Sequence, residues 1–297
     1  MTAVLESRSL DKRYGRRQAL TDCTLSIPAG NVVGLVGPNG AGKTTLLNLA
    51  VGLLAPTSGQ IKVLGAEPAS SAGQLAQVGF VAQDAPVYAG LSIADHLRFG
   101  SRMNPGWDDE LARDRIARLG LDPGQRAGKL SGGQRAQLAL TLAIAKRPEL
   151  LLLDEPIASL DPLARREFLQ SLMEFAADQQ VSVVMSSHLV ADLERVCDYL
   201  IVLAASQVRI AGEIEELLAA HHQLTGPRHD PATLPAEWQV ITASHTDRQS
   251  TLLVRTEAPI HDPAWTVDQI SLEDLVLAYM SQAAVPVRRE PALEVTR

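Results

Sequence analysis

The chain has 297 residues, of which 46% are hydrophobic and only 4% aromatic, and it carries a formal net charge of -7. That length holds one large α/β domain and a small second one. The acidic balance argues against a nucleic-acid binder, which needs a basic face for phosphate, and the scarcity of aromatics argues against a β-rich module with an aromatic core. Two cysteines, Cys23 and Cys197, lie too far apart in sequence to suggest a disulfide framework, and a reducing cytoplasm fits. The N-terminus is charged where a signal peptide needs an apolar run. The longest apolar runs, such as 138–145, fall well short of a membrane span. The chain is therefore expected not to cross a bilayer by itself.

In chain order, residues 3–27 read as short strands around a turn at Tyr14 and Gly15. Residues 31–36 are apolar and rich in β-branched side chains, and read as a strand running into glycines. Residues 43–54 follow as a helix, and 59–64 and 78–82 as short strands. From 84 to 149 the pattern is helical, with candidates at 93–99, 108–119 and 133–146. Residues 150–153 are leucine throughout, as a central parallel strand should be. Helices over 165–178 and 189–196 then alternate with strands over 181–185 and 200–203, which implies a mostly parallel sheet. Residues 219–237 read as a linker rich in Pro, His and Gly. Residues 238–282 read as a small accessory domain, with strands at 238–243 and 251–256 and a helix at 271–281. The segment 283–297 reads as a flexible tail.

Gly37, Pro38, Asn39, Gly40, Ala41, Gly42, Lys43 and Thr44 match the phosphate-loop pattern G-x-x-x-x-G-K-[ST] in its proper context, after a strand and before a helix. Glycines let backbone amides close around phosphate oxygens, and the helix N-terminus adds partial positive charge. Lys43 can reach the β- and γ-phosphates and Thr44 can place its hydroxyl on Mg²⁺. Asp154 and Glu155 end the buried strand at 150–153, where a parallel sheet presents its ligand crevice. Asp154 is expected to hold Mg²⁺ through water, and Glu155 to act as general base on an attacking water.

Those features suit many nucleotide hydrolases. Leu130, Ser131, Gly132, Gly133 and Gln134, at the start of an amphipathic helix just before the acidic strand, are more specific. They resemble the signature motif of the ATP-binding cassette (ABC) family. Gln83, Asp161 within Ser159–Leu160–Asp161, His188 and Tyr14 fall where that family has its Q-loop glutamine, D-loop, switch histidine and adenine-stacking aromatic. Singly, each is uninformative; a lone His after a strand is more often structural.

The resemblance covers about residues 4–211. It implies a P-loop NTPase (RecA-like) α/β core, residues 1–218, with a parallel sheet, a helical insert at about 84–149 and a small C-terminal α/β appendix. It further implies that Tyr14 stacks on adenine, that the 39–43 backbone with Lys43, Thr44 and Thr45 holds phosphates and Mg²⁺, and that Gln83 senses Mg²⁺ and the attacking water. Glu155 would activate that water and His188 would contact the γ-phosphate. Ser131, Gly132, Gly133, Gln134 and Asp161 would belong to the nucleotide-binding residues, with Ser131 and Gly133 serving the ATP held by an opposite subunit. Ile157 and Ala158 depart from the small polar pair often found there, at positions that do not touch nucleotide in the family.

Residues 90–97 and 104–108 resemble bacterial exporter ATPases whose membrane subunit is a separate chain, and 271–280 resemble the C-terminal helix motif of drug- and antibiotic-export ATPases, with an ordinary amphipathic docking helix as the other reading of that segment. The implied protein is a peripheral ATPase on the cytoplasmic face of the cell membrane, a homodimer or a heterodimer with another ABC ATPase, that drives an integral-membrane permease and binds no nucleic acid. A soluble ABC ATPase of translation or DNA repair is the alternative. The single cassette, and the lack of long coiled coils or zinc sites, count against it. His221, His222, His229 and His261 are scattered through polar sequence and read as solvated, not as a metal site.

Overall fold

The structure is a computed structural model that describes residues 3–228 and 234–282. It divides into two compact units, Met1–Leu217 and Leu218–Arg297.

The first unit opens with two long strands rather than several short ones. β1 (Ala3–Tyr14) and β2 (Arg17–Pro28) pair antiparallel across a turn in which Gly15 takes φ 57°. β1 lies between β2 and β4 in a three-stranded sheet. Alternation along the hairpin buries Leu5, Leu10, Leu20, Cys23 and Ile27. The adjacent β3 (Val32–Val36) is buried along its whole length. A loop then leads into α1 (Lys43–Ala50). This helix stops four residues before its expected end because Gly52 has φ 75°, and a Cβ there would stand 2.5 Å from that of Ala69. β4 (Ser58–Val63), the short α2 (Ala72–Gln77) and β5 (Val78–Val81) follow.

Three helices form an arm with its own apolar core: α3 (Ile93–Met103), α4 (Asp109–Arg118) and α5 (Gly132–Ile144). Ile93, Leu97, Ile116, Leu121 and Leu138 meet there. Each helix has a side-chain N-cap, from Ser92, Asp108 and Ser131 respectively.

β6 (Leu150–Leu153), α6 (Pro162–Gln179), β7 (Ser182–Ser187), α7 (Val190–Leu193), β8 (Tyr199–Ala204) and β9 (Gln207–Glu213) complete the six-stranded sheet, in the order β5-β6-β7-β3-β8-β9. Its first five strands are parallel and β9 is an antiparallel edge. β3, β6 and β7 are buried throughout, which is why their sequences lack polar alternation within the strand. β9 was not expected: its turn, Ala205–Ser206, has positive φ at both residues without a glycine, and its polar residues suit a half-exposed edge. α8 (Ile214–Ala219) follows.

The second unit is a four-stranded antiparallel sheet with one helix: β10 (His221–Pro227), β11 (Gln239–His245), β12 (Gln249–Arg255), β13 (Thr266–Gln269) and α9 (Leu272–Gln282), in the strand order β11-β12-β10-β13. The linker expected over 219–237 instead contains a strand. β10 is an interior strand, paired with both β12 and β13. His221 and Leu224 are fully buried on it, and His221 Nε2 lies 2.9 Å from the Tyr279 hydroxyl. A sequence rich in His, Gly and Pro thus reads as linker although its Leu224 packs a core with Trp238, Leu252, Val254 and Trp265. His229 and the expected tail, 283–297, lie outside the described residues.

Candidate active site

The loop from Gly37 to Gly42 leaves the carboxyl end of β3, between β7 and β8, where a parallel sheet opens. Gly40 and Gly42 adopt φ 80° and 112°, which a side chain would strain. Gly37 is tightly enclosed, since a Cβ on it would lie 2.1 Å from the Leu203 carbonyl oxygen. α1 starts at Gly42 without any side-chain cap, so its first amides have no partner within the helix.

The resulting cleft holds about 620 Å³ and is lined by Tyr14, Asn39 to Thr45, Gln83, Glu155 and His188, together with Arg17, Ala19 and Ala158. Lys43 is buried, donates to the Gly37 carbonyl at 2.7 Å and pairs with Glu155 Oε1 at 3.2 Å. Thr44 Oγ1 donates to Asp154 Oδ1 at 3.2 Å. Asp154, only 1% exposed, also accepts from Ser186 Oγ at 2.8 Å. The Glu155 amide donates to the same Ser186 hydroxyl at 2.8 Å, and His188 Nδ1 stands 2.5 Å from Glu155 Oε2. β3, β6 and β7 thus bring Lys43, Asp154, Glu155 and His188 into one connected network, although they are far apart in sequence. The hydroxyl and carboxylate of Thr44 and Asp154 are hard oxygen donors of the kind Mg²⁺ takes beside phosphate. Among the described residues no group of three or more His, Cys, Asp or Glu could hold a metal by protein ligands alone.

Gly37 and Pro38 belong to the loop but do not line the cleft. Ser131, Gly132, Gly133, Gln134 and Asp161 are not brought into it either. Ser131 and Gln134 form a capping box at the start of α5. The Asp161 carboxylate accepts from the amides of Leu163 and Ala164 and caps α6. Cys23 and Cys197 are free thiols, and burial pushes both up, Cys23 to about 11, so neither is a ready nucleophile.

Comparison with known proteins gives the family. The ABC transporter family model matches residues 20–158. YxlF of Bacillus subtilis, an ABC transporter ATP-binding protein, is 33% identical over 220 residues, covering 72% of this chain and 72% of its own length. The chain belongs to the ABC transporter ATP-binding proteins. ThiQ of Salmonella choleraesuis, a thiamine import ATP-binding protein, is 34% identical over 203 residues, 66% of this chain and 86% of its own. CbiO1 from Clostridium perfringens, part of the CbiONQ transporter complex, superposes with a TM-score of 0.64 at 25% identity, over 74% of this chain and 92% of its own.

As an ABC ATPase, the chain binds and hydrolyses ATP. No helix among the described residues is long and apolar enough to cross a membrane. The sequence did not point to Arg17, which lines the cleft, or to Ser186, which is buried beside the two acids. Arg17 reaches the loop from the β1–β2 hairpin, its guanidinium 2.9 Å from where a Cβ on Gly40 would be. Its only sequence signal is its place three residues after Tyr14. Ser186 carries no motif of its own; a hydroxyl at the end of an apolar strand is the sole hint.

Proposed function

We propose that this ABC ATPase powers a separate integral-membrane subunit, and that its working form is a dimer on the cytoplasmic side of the membrane. The observation that carries the catalytic part is the convergence of Lys43, Thr44, Glu155, His188 and Gln83 on one cleft, with the buried Asp154 bonded to Thr44 behind it. Adenine stacks on Tyr14. The 39–43 amides, Lys43 and Thr45 hold the phosphates. Thr44 and, through water, Asp154 would hold Mg²⁺, which would neutralise charge developing on the transferred phosphoryl group. Gln83 sits by the attacking water. Glu155 takes that water's proton, while His188, in contact with Glu155, orients the carboxylate and reaches toward the γ-phosphate. For this Glu155 must exchange its ion pair with Lys43 for the water, and the arriving phosphates supply Lys43 with its new anion.

Docking to the membrane subunit is assigned to the surface around residues 83–97. Tyr88 and Phe99 are 64% and 51% exposed there and meet edge to face, and Leu53, which lines a groove with Ala82 and Pro86, is 67% exposed. Exposed apolar groups of this kind mark interaction surfaces. For direction we propose export, on the resemblance of residues 90–97, 104–108 and 271–280 to exporter ATPases. ThiQ, which is named for import, shares the cassette, so the cassette itself does not set direction. Affinity purification from detergent-solubilised membranes, with identification of the integral protein that co-purifies, tests the pairing. Uptake and efflux assays on vesicles holding that pair then test the direction. A chain that co-purifies only with soluble partners overturns the reading.

A further inference from the structure

Ser186 has no role among those just assigned, yet it is fully buried at the end of β7 with both of its hydrogen-bonding functions used on the two acids. Its hydroxyl donates to Asp154 Oδ1 and accepts from the Glu155 amide, both at 2.8 Å. One hydroxyl proton and one lone pair account for both bonds. The Glu155 amide lies beyond the last paired residues of the β6–β7 ladder, Leu153 and Met185. The ladder therefore does not hold it, and the side chain of Ser186 does. Glu155 itself has φ 48°, a left-handed conformation that a non-glycine residue keeps only when its surroundings enforce it. Asp154 Oδ1 accepts from Thr44 as well, so Ser186 also restrains the carboxylate that faces the phosphate loop.

We propose that Ser186 is a positioning residue for ATP hydrolysis: through one hydroxyl it fixes the Asp154 carboxylate against Thr44 and holds the Glu155 backbone in the turn that aims its side chain at the cleft. This rests on the roles proposed above for Asp154 and Glu155. Ser182, on the same strand, is an internal control. It is as well buried and its hydroxyl accepts a 2.8 Å bond from the Gly30 amide, but it touches neither acid.

The test compares Ser186→Ala, Ser186→Thr and Ser182→Ala with wild type in two measurements. One is ATP affinity with Mg²⁺ and in its absence; the other is turnover as a function of Mg²⁺. Loss of a hydrogen bond to a charged group corresponds to about a tenfold effect. Ser186→Ala should therefore raise the half-saturating Mg²⁺ about tenfold, lower kcat by about tenfold or more, and shrink the gain in ATP affinity that Mg²⁺ confers. Its affinity for metal-free ATP should stay close to wild type. Ser186→Thr, which keeps the hydroxyl, should restore Mg²⁺ dependence if its methyl is accommodated. Where it is not, Ser186→Cys, similar in size but a weak hydrogen-bonding partner, should behave as Ser186→Ala does. Ser182→Ala should lower thermal stability without moving the Mg²⁺ response. Equal Mg²⁺ responses in Ser186→Ala and Ser182→Ala would overturn the inference. Asp154→Asn measured beside them separates the two failures: if it too leaves the Mg²⁺ response unchanged, the reading of Asp154 fails first.

Discussion

Two glycine-rich helix starts in this chain resemble each other in sequence and differ in what their amides have to bind. α1 begins at Gly42 with no side-chain cap, inside a cleft that also presents Lys43, Thr44 and Glu155. α5 begins at an exposed Ser131 whose hydroxyl accepts from the Gln134 amide at 3.2 Å, while Gln134 Oε1 accepts from the Ser131 amide at 3.0 Å. Its box satisfies two donors and leaves the Gly132 and Gly133 amides and the Ser131 hydroxyl proton. The first helix start is surrounded by side chains of its own chain. The second is a set of donors with no side chain of the cleft beside it. A helix N-terminus favours an anion in both cases, but only in the first does the fold surround it with the groups that chemistry needs.

Removing the lysine from the first site should have the largest effect. Lys43→Ala is expected to abolish productive ATP binding or turnover, because Lys43 is the buried cation facing the loop. Near wild-type ATPase activity in the purified variant would show that the α1 site is not the nucleotide site. Glu155→Gln comes next. It should retain ATP binding and slow hydrolysis by roughly 10²–10⁴-fold, the usual worth of a general base. The amide is nearly isosteric but cannot take the proton. Single-turnover kinetics with bound ATP measured separately decide this, and an undiminished rate would move the base elsewhere.

The α1 site was largely legible in the sequence because its parts are contiguous. Eight residues from Gly37 to Thr44 carry loop, cation and hydroxyl, and four buried leucines before Asp154 declare a central strand. Gln83 and His188 were placed by order along the chain, and both line the cleft. What was not legible depends on pairing across distance. Arg17 enters only because the β1–β2 hairpin folds it over Gly40, and Ser186 matters only because β7 lies beside β6. In the second unit, β10 was hidden by composition. Gly226 and Pro227 signal a turn locally, but the burial of His221 and Leu224 wins through contacts with strands more than 25 residues away. Edge strand β9 was hidden because an antiparallel edge tolerates polar residues.

The comparison is sharpened by asking whether the α5 donors serve a second chain. The phosphoryl group spreads charge over three equatorial oxygens, and the α1 site supplies donors from one side. Ser131→Arg should therefore leave ATP binding by the isolated chain intact and sharply lower turnover. In a homodimer with two-fold symmetry, each site combines the α1 loop of one chain with the α5 start of the other. Mixing Lys43→Ala chains with Ser131→Arg chains then yields dimers with one site carrying both lesions and one carrying neither. Turnover, or trapped ATP measured beside it, should partly recover, although neither variant is active alone. If both stay at background, a homodimer is excluded in favour of a different ATPase partner.

The smallest effect should come from Gln134, and it divides the roles of the α5 start most finely. The family resemblance places Gln134 among the nucleotide-binding residues, whereas its side chain in this chain closes the capping box through the Ser131 amide. The cap occupies Gln134 Oε1, so a contact with phosphate would fall to its Nε2. If capping is its work, Gln134→Ala should cost about 0.5–1 kcal/mol, the lower part of the range for losing a helix cap. It should lower the thermal midpoint and leave ATP affinity and turnover near wild type, because the Gly132 and Gly133 amides and the Ser131 hydroxyl remain. Gln134→Glu, which restores the box with another acceptor, should recover the stability. Thermal unfolding and ATPase assays on the same preparations decide between the roles. An unchanged midpoint with turnover as low as in Ser131→Arg would make Gln134 a nucleotide contact, and its capping bond an incidental feature of the single chain.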